Sequence, residues 1–364
     1  MAELDPQPLL MIGEPRADYT LIDSGGGRKF EAYGPYRFIR PEPQAMWPTR
    51  LPDWDADGAF IPGSDEDGGG RWQLEASVPR EGWPLQWEEV RLTALNTPFR
   101  HLGFFPDMDP VWRWLRGHIA AHKGEERARG LNLFGYTGVG TLAMAAAGAE
   151  LTHVDASKKS VAAARANAAL SGMEDLPVRW LVDDCVKFAA REVRRGKRYD
   201  AILLDPPKFG RGPEGEVWKL EEHLPALIAD CRRLLDERSS CLFLTVYAVR
   251  MSALALGELL AAHFADLPGR IEIGDCADIT VIDPDALEAY DSEANSTFIW
   301  REDYGHEQMV NRSDGVVKTV LVAGEPVYEA GEFTPAAGRT PLGRALRHES
   351  WSGGRAKPEV LAAE

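Results

Sequence analysis

The sequence predicts an α/β protein built on a parallel, doubly wound sheet, and three observations predict it. Apolar runs of strand length alternate with helical stretches from residue 131 to residue 264. A glycine turn, with Gly135, Gly138 and Gly140, marks the first passage from strand to helix. Acids then stand where successive strands end, at Asp155, Asp183, Asp184 and Asp205. Ligands of such sheets bind beyond the carboxyl ends of the strands, so a row of acids along that rim asks for a functional explanation.

Residues 17 to 110 read as β-rich, because short runs such as Tyr19-Thr-Leu-Ile22 and Tyr36-Arg-Phe-Ile39 are separated by glycine and proline turns. The tryptophans of this region (Trp47, Trp54, Trp72, Trp83, Trp87) are read as packing residues. Asp65-Glu66-Asp67 is read as a solvated turn, since a calcium loop would need a glutamate where Ala76 stands. A helix is expected from Val111 to His122. His118 and His122 lie one turn apart on it, without the H-E-x-x-H pattern of a metal site, and read as an exposed face.

Beyond the glycine turn come an alanine-rich helix and a strand from Leu151 to Asp155. Helices are then expected over Ser157–Leu170, Cys185–Arg195, Val217–Leu235 and Met251–Phe264, and strands over Val178–Val182, Tyr199–Leu204 and Ser240–Val246. The basic end of the Cys185–Arg195 stretch suits a helix C-terminus.

A chain of 364 residues with a mean hydropathy of -0.29 has the composition of an ordinary globular protein. No apolar run reaches membrane-spanning length, and the acidic start lacks a signal-peptide core, so a cytoplasmic protein with no membrane partner is expected. Cys185, Cys231, Cys241 and Cys276 form no C-x-x-C pair and read as core thiols. The net charge of -16 does not favour a protein that coats nucleic acid; any RNA contact needs a local basic patch.

The glycine order here is G-x-x-G-x-G, whereas dinucleotide sites use G-x-G-x-x-G. Backbone N–H groups at such a turn can still receive the carboxylate of an amino-acid-like ligand. The Asp155 carboxylate, at the end of the next strand, is placed to accept from ribose hydroxyls. A nucleoside joined to an amino acid fits both ends.

Four motifs stand together: Phe134-Gly-Tyr-Thr-Gly-Val-Gly140, Val154-Asp-Ala-Ser157, Val182-Asp-Asp184 and Leu204-Asp-Pro-Pro-Lys-Phe209. With them the chain resembles class I S-adenosylmethionine-dependent methyltransferases, in particular the bacterial family that modifies bases of large-subunit ribosomal RNA. The resemblance spans about residues 19–274 and includes Phe99-Arg-His-Leu-Gly-Phe-Phe-Pro106. It implies a Rossmann-like sheet, S-adenosylmethionine as cofactor and ribosomal RNA as substrate. It implies further that Phe134, Gly135, Tyr136, Thr137, Gly138 and Gly140 hold the methionine end, and that Asp155, followed by Ala156, takes the ribose. Asp184 or its neighbour Asp183 would accept from the adenine amino group. Asp205, Pro206, Pro207, Lys208 and Phe209 would floor the site where the target base meets the methyl group.

Relatives that methylate cytosine carbon 5 attack with a cysteine after the next strand, where this chain has Leu244-Thr-Val-Tyr247; Cys241 lies earlier, inside the strand. Methylases of exocyclic amines place an aromatic fourth in Asp/Asn-Pro-Pro-x, where this chain has Lys208. Both readings stay open, and transfer to nitrogen or by a cysteine-independent route is the expectation. A protein or small-molecule methyltransferase, and a cofactor-binding protein without catalysis, are the alternatives.

Near residue 275 the character changes. Gly274 to Pro284, Gly315 to Tyr328, Gly331 to Thr334 and Gly343 to Arg347 resemble the C-terminal β segment of amidohydrolases of the N-acyl-D-amino-acid deacylase type, without the barrel or its metal ligands. The expected organisation is therefore a β-rich region at 1–108, a methyltransferase domain at 109–274 and a β-rich appendage at 275–347. A disordered tail is expected at 348–364. A fusion near Gly274 would explain the change, with Asp278 to Asp283 standing in for the last strand of the sheet.

Overall fold

The computed structural model describes residues 2–5, 18–63, 69–97, 99–247 and 252–273, and the backbone of six strands between 279 and 333. The Asp65–Asp67 turn, Cys276, Gly343–Arg347 and the tail at 348–364 lie outside the described residues. The chain divides into two units, Met1–Pro6 with Met11–Ile271 and Gln7–Leu10 with Glu272–Glu364.

The first unit begins with β1 (Ala2–Asp5) and a five-stranded sheet in the order β2 (Tyr19–Gly25), β3 (Arg28–Tyr33), β4 (Tyr36–Pro41), β5 (Gly58–Pro62), β6 (Gly70–Leu74). A hairpin follows, β7 (Trp83–Trp87) and β8 (Val90–Ala94), whose alternation puts Trp83, Leu85, Trp87, Val90, Leu92 and Ala94 inside. A 3₁₀ turn at Pro106–Met108 leads into α1 (Asp109–Ala120).

The central sheet follows: β9 (Arg129–Leu133), α2 (Val139–Ala146), β10 (Glu150–Asp155), α3 (Lys158–Leu170), β11 (Val178–Val182), α4 (Cys185–Arg194) and β12 (Ala201–Leu204). A small hairpin of β13 (Phe209–Arg211) and β14 (Val217–Lys219) precedes α5 (Leu220–Arg233), β15 (Cys241–Leu244), α6 (Ala253–Phe264) and β16 (Gly269–Glu272). The strand order is β11-β10-β9-β12-β15, all parallel. The order reverses between β9 and β12, and the crevice beyond their carboxyl ends is where such sheets bind ligands.

Alternate strand residues feed two cores. Leu151, Ala201 and Leu203 join α1, α2 and the β7–β8 hairpin; Leu131, Leu133, Val154, Ile202 and Leu204 join α4, α5 and α6. The hairpin is tied to α3 by Thr93 N–H donating to Asn167 Oδ1 at 3.2 Å and Arg91 N–H donating to Ser171 Oγ at 2.8 Å.

The helix expected from Val217 starts three residues later. Val217–Lys219 is strand because it pairs with Phe209–Arg211, and α5 begins only when that pairing ends. Strand β16 pairs with β1.

The second unit holds β17 (Ile279–Ile282), β18 (Ser296–Arg301), β19 (His306–Asn311), β20 (Val317–Val322), β21 (Glu325–Glu329) and β22 (Glu332–Phe333). They form an antiparallel sheet β17-β20-β21-β22 and a β18–β19 hairpin. Strand β17, expected to supply a last strand, pairs with β20, and among the described residues the strand order of the central sheet ends on β15.

Candidate active site

The glycine turn sits at the switch point, but its glycines are needed for packing as much as for a ligand. A Cβ on Gly135 would lie 2.4 Å from the His153 ring, one on Gly138 2.7 Å from Ala164 Cβ, and one on Gly140 2.8 Å from Leu203 Cδ2. Gly138 also has φ +83 and starts α2. The other left-handed residues of the turn are not glycines: Phe134 has φ +59 and Tyr136 φ +48. Each is held by its N–H, Phe134 donating to Cys185 Sγ at 3.3 Å and Tyr136 to Asp155 Oδ2 at 2.9 Å.

The turn cannot easily shift to admit a larger residue. His153 is fully buried and bonded to Thr141 Oγ1 at 2.9 Å, and burial pushes its pKa down to about 3, so the ring is neutral. Gly135→Ala is therefore expected to cost about 1–3 kcal/mol in urea denaturation, the range for overpacking a tight site. An unchanged midpoint would show that His153 yields.

Asp155 ends β10 with both oxygens engaged by backbone, Oδ2 by Tyr136 N–H and Oδ1 by Ser157 N–H at 2.8 Å. Burial raises its pKa while these two bonds lower it, and burial prevails. Ala156 follows it, half-buried. Of the two acids after β11, Asp183 is paired with Arg191. Asp184 caps α4, its Oδ1 accepting from Lys187 N–H at 2.8 Å.

Across the crevice, one cavity joins Phe134, Gly135, Tyr136, Thr137, Gly138 and Gly140 to Asp205. Seven of the residues named from the sequence thus share one space. Its other walls were not read from the sequence: Asn132, Val139, Leu203, Phe104, Phe105, Met108 and Trp112. Phe104, Phe105 and Met108 come from the segment before α1, whose signal was the aromatic run in Gly103-Phe-Phe-Pro106. That segment is fastened to the turn by Thr137 Oγ1 donating to Gly103 O at 2.8 Å and by Tyr136 OH at 3.1 Å from His101 Nδ1.

Asp205 is raised to about 6, chiefly by burial; the Thr245 hydroxyl, which donates to Oδ1, opposes this and the charge of Asp107 adds to it. Tyr247 OH donates to Asp107 Oδ2 at 3.1 Å. Pro206 is buried, while Pro207, Lys208 and Phe209 are exposed, and Trp218 Nε1 donates to Pro207 O at 2.6 Å. Thr245, Tyr247 and Asp107 had been assigned no role, because they meet Asp205 only through the fold.

A crystal structure from Agrobacterium tumefaciens, a SAM-dependent methyltransferase, is 40% identical, covers 77% of this chain and 87% of its own, and superposes with a TM-score of 0.69. The chain belongs to the S-adenosylmethionine-dependent methyltransferases. A Streptococcus mutans chain described as a SAM-dependent methyltransferase, 17% identical, shares the fold with a TM-score of 0.54 over 82% of this chain and 72% of its own. The ribosomal RNA large subunit methyltransferase I of Aeromonas hydrophila is 37% identical over 91 residues, 25% of this chain and 23% of that protein. The match thus spans about a quarter of that curated relative's length. No family model matches the chain.

One atom of the methyltransferase crevice fits a polar ligand. Asn132 is 2% exposed; its Nδ2 donates to Thr141 Oγ1 at 2.9 Å, but its Oδ1 has no partner, although the residue lines the cavity beside the glycine turn. A buried acceptor without a donor costs about 1–3 kcal/mol, a cost that a bound ammonium or hydroxyl would relieve.

Proposed function

We propose that this methyltransferase moves a methyl group from S-adenosylmethionine to a base of large-subunit ribosomal RNA, in the cytoplasm. The single observation that carries the reading is the crevice lined by both the glycine turn and Asp205, because methyl transfer needs donor and acceptor aligned in line and an N–H acceptor needs a group to take its proton. The ribosomal relatives supply the substrate class.

The bound cofactor supplies a methyl group on a positive sulfur. Phe134, Gly135, Tyr136, Thr137, Gly138 and Gly140 hold its amino-acid end, with Asn132 Oδ1 as the acceptor for its ammonium. Asp155 takes the ribose with the lone pairs its two backbone bonds leave, and Ala156 lies beside it. Asp184 serves the adenine amino group better than Asp183, whose carboxylate Arg191 occupies. On the acceptor side Pro206, Pro207, Lys208 and Phe209 carry the base, and Asp205 takes the proton that a methylated N–H nitrogen must lose.

Support for a nitrogen acceptor comes from where the thiols lie. Cys241 starts β15 opposite Ala201, at the far end of the strand from Thr245, and burial pushes it up to about 12. Cys185 is buried under the glycine turn with its sulfur bonded by Phe134 N–H. Among the described residues no cysteine stands beside Asp205. A second reading, an amine of a protein as acceptor, is favoured by the exposed Asp107 at the same mouth.

Calorimetry with S-adenosylmethionine should show binding, and Asp155→Ala should weaken it by about tenfold or more, the loss of two charge-assisted hydrogen bonds. Absence of binding by the unaltered chain would remove the cofactor claim. Labelled methyl should then pass to unmodified large-subunit RNA; label found only on protein would favour the second reading.

A further inference from the structure

Phe99 is an apolar ring that the fold leaves outside: it is 48% exposed. Its backbone is nevertheless tied to neighbouring segments. Trp72 Nε1 donates to Thr97 O at 3.0 Å and to Phe99 O at 3.1 Å, Phe99 N–H donates to Thr97 Oγ1 at 3.2 Å, and Phe99 forms a β-bridge with Gly69. Arg40, from β4, donates to the carbonyl of Arg100 at 3.0 Å. A loop fixed this well has no packing reason to present a bare ring.

The ring heads a stack that leads inward. Phe99 lies on His101 at 5.7 Å and 18° between planes, His101 meets Phe105 at 5.2 Å and Tyr136 at 5.3 Å, and Phe105 and Tyr136 both line the cavity that holds Asp205. His101 is neutral: burial first, then the charges of Arg40 and Arg100, push it down to about 4. Arg100 itself is exposed and enters no ion pair among the described residues. Two prolines beyond Asp205, Lys208 and Phe209 repeat the pairing of an exposed cation with an exposed ring.

We propose that Phe99 and Arg100 bind the nucleotide next to the target base, its unpaired base lying on the Phe99–His101 stack and its phosphate meeting Arg100. The inference rests on the RNA reading above and deepens it by placing the strand. Alternating rings and cations match the alternating bases and phosphates of single-stranded RNA, where stacking on aromatics is tolerant of sequence and cations track the backbone. In a chain of net charge -16, the exposed cations Arg100 and Lys208 also supply local attraction that the overall charge denies. The N-terminal sheet then has a task in catalysis: through Trp72 and Arg40 it holds the platform rigid before RNA arrives, which lowers the ordering cost of binding.

The test uses the full chain with S-adenosylhomocysteine and a short fluorescent single-stranded oligoribonucleotide, read by anisotropy. Phe99→Ala should weaken binding about tenfold, and Phe99→Trp should retain it. Arg100→Ala should lower the slope of log affinity against log salt by about 0.7, the value for one phosphate on a single strand. Cofactor affinity should stay unchanged in all three, since none of these residues lines the donor cavity. In turnover, Phe99→Ala should raise KM for RNA and spare kcat. If the unaltered chain binds RNA and Phe99→Ala binds it equally well, the platform is wrong and the RNA reading stands. If the unaltered chain binds no RNA, both fall.

Discussion

Asp205→Asn is expected to make the protein more stable at pH 7, by about 3 kcal/mol, while slowing methyl transfer by about 10²–10⁴, the range for a lost proton acceptor. The two effects share one cause. Burial lifts the Asp205 carboxyl to about 6 against an ordinary 3.8, opposed by the Thr245 hydroxyl and helped by the charge of Asp107. A carboxyl raised on folding stabilises fully below its unfolded pKa, and that contribution is lost as pH rises through the folded one. Here the window runs from 3.8 to about 6. At pH 7 the fold therefore carries an ionised carboxylate at a cost that the neutral amide removes. Urea melts of both proteins should converge near pH 4 and separate up to pH 6, then run parallel.

The activity should move the opposite way. A base that must be ionised gives methyl transfer that rises with pH around 6, and single-turnover rates of the unaltered enzyme should show this acid limb. Asp107→Asn removes a neighbouring negative charge and should draw the limb to lower pH. A flat rate between pH 5 and 7, or an undiminished rate in the Asp205→Asn variant, would show that Asp205 only orders the site. Trading stability for a poised group is a common cost of active sites.

The residues proposed for the donor could be grouped from the sequence because they are local. Gly135 to Gly140 and Asp155 lie on one strand–turn–helix–strand passage, and β11 ends at Val182 as its apolar run predicts. The reasons behind some of those residues were not legible. From the sequence the glycine turn offers backbone N–H groups to a ligand, yet His153, Ala164 and Leu203 explain why each glycine lacks a Cβ. Asp183 and Asp184 look alike in sequence, and only the fold gives one an arginine and the other a helix to cap. The residues proposed for the acceptor depend on distant segments: Asp107, Asp205 and Tyr247 come together from three parts of the chain. No periodicity announces such a meeting. Val217–Lys219 failed for the same reason, since a pairing partner overrode the helical pattern.

Arg40→Ala should be the most damaging change in the N-terminal sheet, at about 3–5 kcal/mol, because it strands a charge. Arg40 and Glu31 are buried together, with Nε on Oε2 at 2.7 Å and Nη2 on Oε1 at 2.8 Å, and Nη2 also reaches Tyr33 OH at 2.6 Å. Burial alone would raise Glu31, but the Arg40 charge and hydrogen bonds, with Lys29 and Tyr19, outweigh it and hold the carboxyl below its usual 4.5. The pair's contribution is thus present above pH 4.5 and is lost as pH falls below it. Without Arg40 the carboxylate, fully buried in the unaltered protein, keeps only the Tyr19 hydroxyl at 2.9 Å and the Lys29 ammonium at 3.7 Å. The double change Arg40→Met with Glu31→Gln should recover most of the lost stability, as replacing a whole buried pair often does. It should not recover RNA binding, because the bond from Arg40 to the Arg100 carbonyl is gone in both. Urea melts and anisotropy on the two variants separate these roles: a double variant that regains both would make Arg40 a purely structural residue, whereas stability without RNA affinity would assign it to the platform it holds.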